Sequence, residues 1–343
     1  MNEFQFHRAT TPAQAVQSGA QSGTAQMGAD VRFIAGGTNI VDLMKLNVEA
    51  PKVVVDINGL PLDRIERMPN GGLRIGALVR NSTLAHDPNV MRDYPVLSQA
   101  LLSGASPQLR NMATTSGNLL QRTRCPYFRD VAHECNKRSP GTGCAAIKGF
   151  NRIHAILGQT DHGTSDGTTC IATNPSDMNV ALAALNATIH VQGPKGKRTI
   201  PIGEFHRLVG ETPHVDTTLK PDELITAVEL PPAKFAKNSY YLKARDRQSY
   251  AFALVSVAAG LEMDGGRIRS AGLALGGVAH KPWRSAAAEK ALAGQSAGAE
   301  VFRKAAELAL EGAKGYEHNA FKIELAKQSI VRALTLAAQG VQA

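Results

Sequence analysis

Apolar positions along the chain switch between two rhythms, and the switches mark its elements. Residues 31–35 (VRFIA) and 52–57 (KVVVDI) read as strands. Between them Gly36-Gly37 breaks the chain, and residues 38–46 place Ile40, Leu43 and Met44 on one helical face. Upstream, residues 4–34 predict strand, helix and strand. The helix begins at Thr11-Pro12, where threonine can cap and proline suits the first helical position. The result is a small β-α-β unit with a double glycine at the turn into its second helix. Glycine allows close backbone approach and positive φ, and free N–H groups at a helix start favour an anion. A plain strand-turn-helix bend accounts for the same residues.

Further on, a strand is predicted at 73–77 and helices at 81–85 and 95–103. Residues 112–120, rich in Thr, Ser and Gly, offer a second set of donors or a simple turn. Asn174-Pro175-Ser176-Asp177 opens a helix in which Asp177 serves as cap or first-turn acid. Strands follow at 187–191 and 198–202, then a short helix at 202–209 and a strand at 224–230. Pro231-Pro232 begins a linker. Beyond it, strands are predicted at 239–245, 251–263 and 267–277, the last two joined by the hairpin signal Asp264-Gly265-Gly266. Helices follow at 285–293, 299–312 and 320–338.

Between residues 121 and 172 neither rhythm holds. An aperiodic insertion of this length is usually functional. It contains all four cysteines of the 343-residue chain: Cys125, Cys135, Cys144 and Cys170.

The composition is that of an ordinary globular chain, large enough for two or three domains. The net charge of +9 comes from cations spread along the sequence, with no basic run and no interleaved aromatics. Nucleic acid is therefore not an expected partner, and a basic surface suits an acidic subunit instead. No apolar stretch is long enough to predict a membrane span, and the N-terminus predicts no signal peptide.

The cysteine spacing, C-x9-C-x8-C-x25-C, is neither the paired arrangement of zinc ribbons nor the run of small ferredoxins. It leaves three readings open: an iron–sulfur cluster, structural zinc, or two disulfides. Arg122, Arg124, Lys137, Arg138 and Lys148 nearby suit the negative charge of a thiolate-ligated cluster. His133, His154 and His162 read as solvated loop residues. No Ser-His-Asp spacing and no GxSxG elbow is present, so no catalytic residue is assigned.

Three ordered segments carry a resemblance: FIAGGTN (33–39), LRNMATTSGN (109–118) and IATNPSD (171–177). They resemble the FAD-binding subunit of the xanthine dehydrogenase family of molybdenum hydroxylases. YAFALVSVA (250–258) and LGGVA (275–279) resemble that family's C-terminal flavoprotein domain. The cysteine loop is similar to that of the FAD/[4Fe-4S] subunits of bacterial periplasmic aldehyde oxidoreductases.

The resemblance implies an α+β architecture. Residues 1–233 would form a two-part FAD-binding domain of the vanillyl-alcohol-oxidase type, divided into 1–58 and 59–233 and carrying the insertion. Residues 236–343 would form a smaller α+β flavoprotein domain with a three-stranded antiparallel sheet. It implies that Ile34, Ala35, Gly36, Gly37, Thr38, Asn39 and Ile40 bind the FAD pyrophosphate. Thr114, Thr115, Ser116, Gly117 and Asn118 would form a second FAD segment near Gly104. Leu119 or Leu120 would border the flavin ring, and Asp177, Ile225 and Lys243 would contact the flavin. Cys125, Cys135, Cys144 and Cys170 would ligate a [4Fe-4S] cluster. The implied partners are a molybdenum subunit, a [2Fe-2S] subunit and an external electron acceptor. The implied location is the periplasm, reached as a passenger of a signal-bearing partner, with the cytoplasm as the alternative. The cysteines alone also allow a zinc- or disulfide-stapled assembly subunit that carries no electrons.

Overall fold

The computed structural model describes residues 1–159 and 168–340. Three parallel strands open the chain: Gln5–Arg8, Val31–Ile34 and, between them in space, Val53–Asp56. Parallel neighbours need long crossovers, and the helices Pro12–Gly19 and Ile40–Lys45 lie in the two connections. Thr11 caps the first helix by accepting a hydrogen bond from the Gln14 N–H, with Pro12 in the first turn.

A five-stranded antiparallel sheet follows, in the order Ile65–Arg67, Leu73–Gly76, Leu224–Leu230, Thr188–Gly193, Gly196–Pro201. Ile75, Val228 and Ile189 of this sheet bury against Leu97 of helix Pro95–Ser103 and Leu182 of helix Asp177–Ala184. Within residues 112–120 lies a short helix, Thr115–Leu119, capped by Thr114. Ser176 rather than Asp177 caps the Asp177–Ala184 helix, and Asp177 is its first-turn acid.

The C-terminal sheet has four strands where the sequence predicts three. To Ser239–Ala244, Val255–Asp264 and Arg267–Gly276 it adds the edge pair Trp283–Arg284, too short to show a period. Helices Ala286–Leu292, Ala299–Ala309 and Phe321–Gln339 share an apolar cluster with this sheet. The Asp177–Ala184 helix packs against the same sheet from the first region of the chain. A Cβ at Gly272 would stand 2.3 Å from the Ala184 carbonyl, and one at Gly276 2.5 Å from a Val180 methyl. These glycines are four residues apart and share one strand face, so the helix reaches backbone contact there. This contact seats Asp177 at the seam between the two regions.

Residues 121–172 hold one short helix, Pro126–Arg129, and turns, with Cys135 and Cys144 paired in an isolated antiparallel bridge. The segment is packed into the body: Cys125, Phe128, Cys135, Cys170 and Ile171 bury together with Leu43 and Val48. His162 lies outside the described residues. No described helix is long and apolar enough to cross a membrane.

Candidate cofactor sites

A cleft partly open to solvent lies between the parallel and the antiparallel sheets. Ala35, Gly36, Gly37, Thr38, Asn39, Ile40, Thr114, Ser116, Gly117, Leu120 and Ile225 all line it. Local sequence explains how the two loops meet. Gly37 has φ of 73°, and a Cβ on Gly36 would lie 1.9 Å from the Met112 carbonyl. Only glycine brings the first loop this close to the second. Thr114 caps the following helix through the Gly117 N–H at 3.2 Å.

The lining has unspent hydrogen-bonding capacity. Asn39 Oδ1 accepts the Arg122 N–H at 3.0 Å, while its Nδ2 is buried with no partner among the described residues. A buried donor left unmade is costly unless a ligand satisfies it. The charges agree. Arg32 pairs with Glu49 at 2.9 Å, Glu49 with Arg122 at 3.1 Å and Arg122 with Asp216 at 2.7 Å, and Lys137 closes the chain on Asp216. Burial alone would raise the Asp216 carboxyl, but the Arg122 and Lys137 cations hold it well below the usual carboxylate range. The network has one more cation than carboxylate, which suits an anionic ligand. Its members are scattered along the chain, and no local motif announces them.

The other predicted residues lie off the lining. Ile34 ends its strand and packs beneath Gly37. Thr115 is buried and donates to the Val79 carbonyl, and Asn118 accepts from Ser176. Leu119 is fully buried in the core, so Leu120 is the leucine that reaches the cleft.

Gly104, Asp177 and Lys243 meet at the seam instead. Asp177 accepts from Lys243 Nζ at 2.8 Å and from the Tyr241 hydroxyl at 2.6 Å, and a Cβ on Gly104 would stand 3.1 Å from the same carboxylate. Burial, and then the Asp177 carboxylate, push the Tyr241 hydroxyl well above its ordinary range, so it remains a donor. Tyr241 is a partner that the sequence does not reveal. Asp177 and Phe252 share a further small cavity with Arg124 and Gly277.

The four cysteines converge. Gly141 and Gly143, with φ of 89° and 108°, fold the chain back so that Cys144 faces Cys135. Burial pushes the Cys125 thiol up to about 12, against the N–H groups of Phe128 and Tyr127 and with the Cys135 and Cys144 thiols adding to the rise. Burial raises Cys144 and Cys170 as well. The N–H groups of Ala146 and Ile171 oppose the rise at Cys144, and Lys137 and the Ala172 N–H oppose it at Cys170. Thiolates crowded in such a place require a bound cation, and backbone N–H groups directed at sulfur are the usual surroundings of an iron–sulfur cluster. All four thiols are free. Among the described residues no group of three or more His, Cys, Asp and Glu side chains is arranged to hold a metal ion. Four cysteine sulfurs with backbone N–H groups beside them are a donor set that thiolate-bound metal chemistry can use.

Two expectations change here. His154 is not solvated: it is buried, with Nε2 3.1 Å from the Cys125 sulfur. Arg122, Arg124 and Arg138 are engaged with Glu49, Asp42 and loop carbonyls; Lys137, although paired with Asp216, is the cation that acts on the Cys170 thiol.

Comparison with known proteins gives matches along nearly the whole chain. Residues 2–233 match the family described as the FAD binding domain in molybdopterin dehydrogenase. Residues 239–337 match the CO dehydrogenase flavoprotein C-terminal domain. The chain is 51% identical to the aldehyde oxidoreductase FAD-binding subunit PaoB of Escherichia coli (strain K12), over 97% of this chain and 98% of that one. It is 27% identical to the glyceraldehyde dehydrogenase medium chain of Sulfolobus acidocaldarius, over 78% of this chain and 74% of that one. A chain of quinoline 2-oxidoreductase from Pseudomonas putida 86 superposes with a TM-score of 0.72 at 25% identity, each chain covered to 98%.

Proposed function

The chain belongs to the FAD-binding subunits of the molybdenum hydroxylase family, and from that premise we propose that it is the electron-transfer subunit of a molybdenum-dependent aldehyde oxidoreductase. In this reading it carries FAD in the cleft and a [4Fe-4S] cluster on Cys125, Cys135, Cys144 and Cys170. The observation that carries the proposal is the 51% identity, end to end, with an aldehyde oxidoreductase FAD-binding subunit. The three buried thiols of Cys125, Cys135 and Cys170, with the half-buried Cys144 beside them, support the cluster.

FAD supplies the capacity to take up and release electrons, and the protein supplies position and electrostatics. The backbone of residues 35–40 and the free Asn39 Nδ2 would hold the diphosphate. The excess cation of the Arg32–Glu49–Arg122–Asp216–Lys137 chain would balance its charge. Leu120 and Ile225 would exclude water from the ring, and Asp177, fixed by Tyr241 and Lys243, would orient its polar edge. Electrons would arrive from a partner's [2Fe-2S] clusters, after aldehyde oxidation at a molybdenum subunit, and leave to an external acceptor. The complex would work in the periplasm, with this chain exported alongside a signal-bearing partner.

Anaerobic addition of an aldehyde to the assembled complex tests this reading. Flavin absorbance is expected to bleach in the complex and to stay unchanged in the isolated chain. A complex whose [2Fe-2S] centres become reduced while the flavin stays oxidised would contradict it.

A further inference from the structure

Two histidines stand against the cysteine site and have no part in the flavin cleft as described. His154 Nε2 lies 3.1 Å from the Cys125 sulfur, and His280 Nε2 lies 3.3 Å from the Cys170 sulfur. They come from different regions of the chain. His154 belongs to the insertion, and His280 follows the Arg267–Gly276 strand of the C-terminal sheet. Both rings are buried, and in each the second nitrogen, Nδ1, is buried without a partner among the described residues.

That arrangement fixes where the proton sits. A neutral imidazole has a single N–H. On Nδ1 it would be a buried donor with no acceptor, which folded proteins avoid. On Nε2 it points at sulfur. The backbone of each histidine is also held. Lys322 Nζ donates to the His154 carbonyl at 2.7 Å, and Asn319 Nδ2 donates to the same oxygen at 3.2 Å. On the other side, the Asn174 and Ile156 N–H groups bond the carbonyls of Ala279 and Val278, just before His280.

We propose that His154 and His280 donate Nε2–H hydrogen bonds to the sulfurs of Cys125 and Cys170 and thereby raise the reduction potential of the cluster those cysteines hold. The proposal rests on the cluster reading above and names two positioning residues that this reading does not include. A donated N–H disperses negative charge on a ligand sulfur and so favours the reduced, more negative state. His280 also lines a small cavity with Leu120, Asp216 and Thr217, all three of which line the flavin cleft. Its hydrogen bond would thus act at the edge of the cysteine site that adjoins the flavin cleft.

The test is an EPR-monitored redox titration of the purified complex, with iron and sulfide measured on the same samples. His280→Leu is expected to keep its iron and to shift the reduction equilibrium about tenfold toward the oxidised state, about 59 mV for a one-electron couple. His280→Gln, whose amide can still donate, is expected to stay close to the unsubstituted potential. An unshifted potential in an iron-replete His280→Leu protein, or equal shifts in the leucine and glutamine variants, overturns the proposal. Pulsed EPR on unsubstituted protein labelled with 15N-histidine reads the same bonds without a variant. Weak coupling to imidazole nitrogen is expected; absent coupling, or coupling of ligand strength, overturns the assignment. Iron-free unsubstituted protein would instead refute the cluster reading beneath it.

Discussion

Replacing Cys170 with serine is expected to strip the chain of its iron and to loosen the insertion with it. Cys170 is buried and leads straight into the segment that ends at Asp177. Its surroundings tie distant parts of the loop together: Asn136 Nδ2 donates to the Thr169 carbonyl, and the Ala155 N–H donates to the Ile171 carbonyl. A serine hydroxyl is a hard, weakly acidic group that does not replace a thiolate on an iron–sulfur centre. Where a metal is bound only by the folded state, its binding free energy is part of the folding free energy. The variant should therefore lose most of its iron, melt roughly 5–10 °C lower and be cut by protease within residues 121–172. Iron assay, thermal melting and limited proteolysis on one preparation check this. Unchanged iron would mean that these cysteines do not hold it.

Lys243→Met is expected to destabilise the chain by about 3–5 kcal/mol, the usual cost of removing one partner from a buried ion pair. The Lys243 and Asp177 side chains are 4% and 8% exposed, so the stranded carboxylate has little access to water. Tyr241 would still donate to it, and Arg245 would still bond the Ser103 carbonyl that Lys243 now shares. Tyr241 is neutral, and the Arg245 cation is spent on the Ser103 carbonyl and does not pair with Asp177. The double variant Asp177→Asn, Lys243→Met should recover part of the loss, because it leaves no buried charge unpaired. Denaturant unfolding of the two single variants and the double variant closes the cycle. A loss under about 1 kcal/mol in Lys243→Met would assign the pair the energetics of a surface contact.

The contrast between these two sites shows what the sequence carries. The β-α-β unit and its Gly36-Gly37 turn are legible because strand, break and helix follow one another within a few residues. The Asp264-Gly265-Gly266 hairpin is legible for the same reason. The helices Pro88–Asp93 and Pro107–Met112 are too short to show a period, and only the cap-then-proline signals Asp87-Pro88 and Ser106-Pro107 mark them. The partners of Asp177 are not legible: Tyr241 and Lys243 lie far along the chain, and it is the packing of the C-terminal sheet on the Asp177 and Pro95–Ser103 helices that brings them to it. The same holds for Arg32, Glu49, Arg122 and Asp216. His154 is not read as buried because the insertion as a whole is polar, although the apolar Ile153, Ala155, Ile156 and Leu157 around it signal burial. Polarity of a loop does not predict exposure when the loop is folded around a cysteine site. His280 sits one residue beyond a recognisable segment, and its meaning appears only once Cys170 is beside it in space.

The central claim is that one chain carries both a flavin and an iron–sulfur cluster. Flavin, iron, zinc and acid-labile sulfide measured on a single anaerobic preparation of the complex test it most directly. The account predicts about one FAD and about four irons with matching sulfide for each copy of this chain, after subtracting the partners' own centres. A well-folded chain without flavin, or one holding zinc in place of iron, would contradict it.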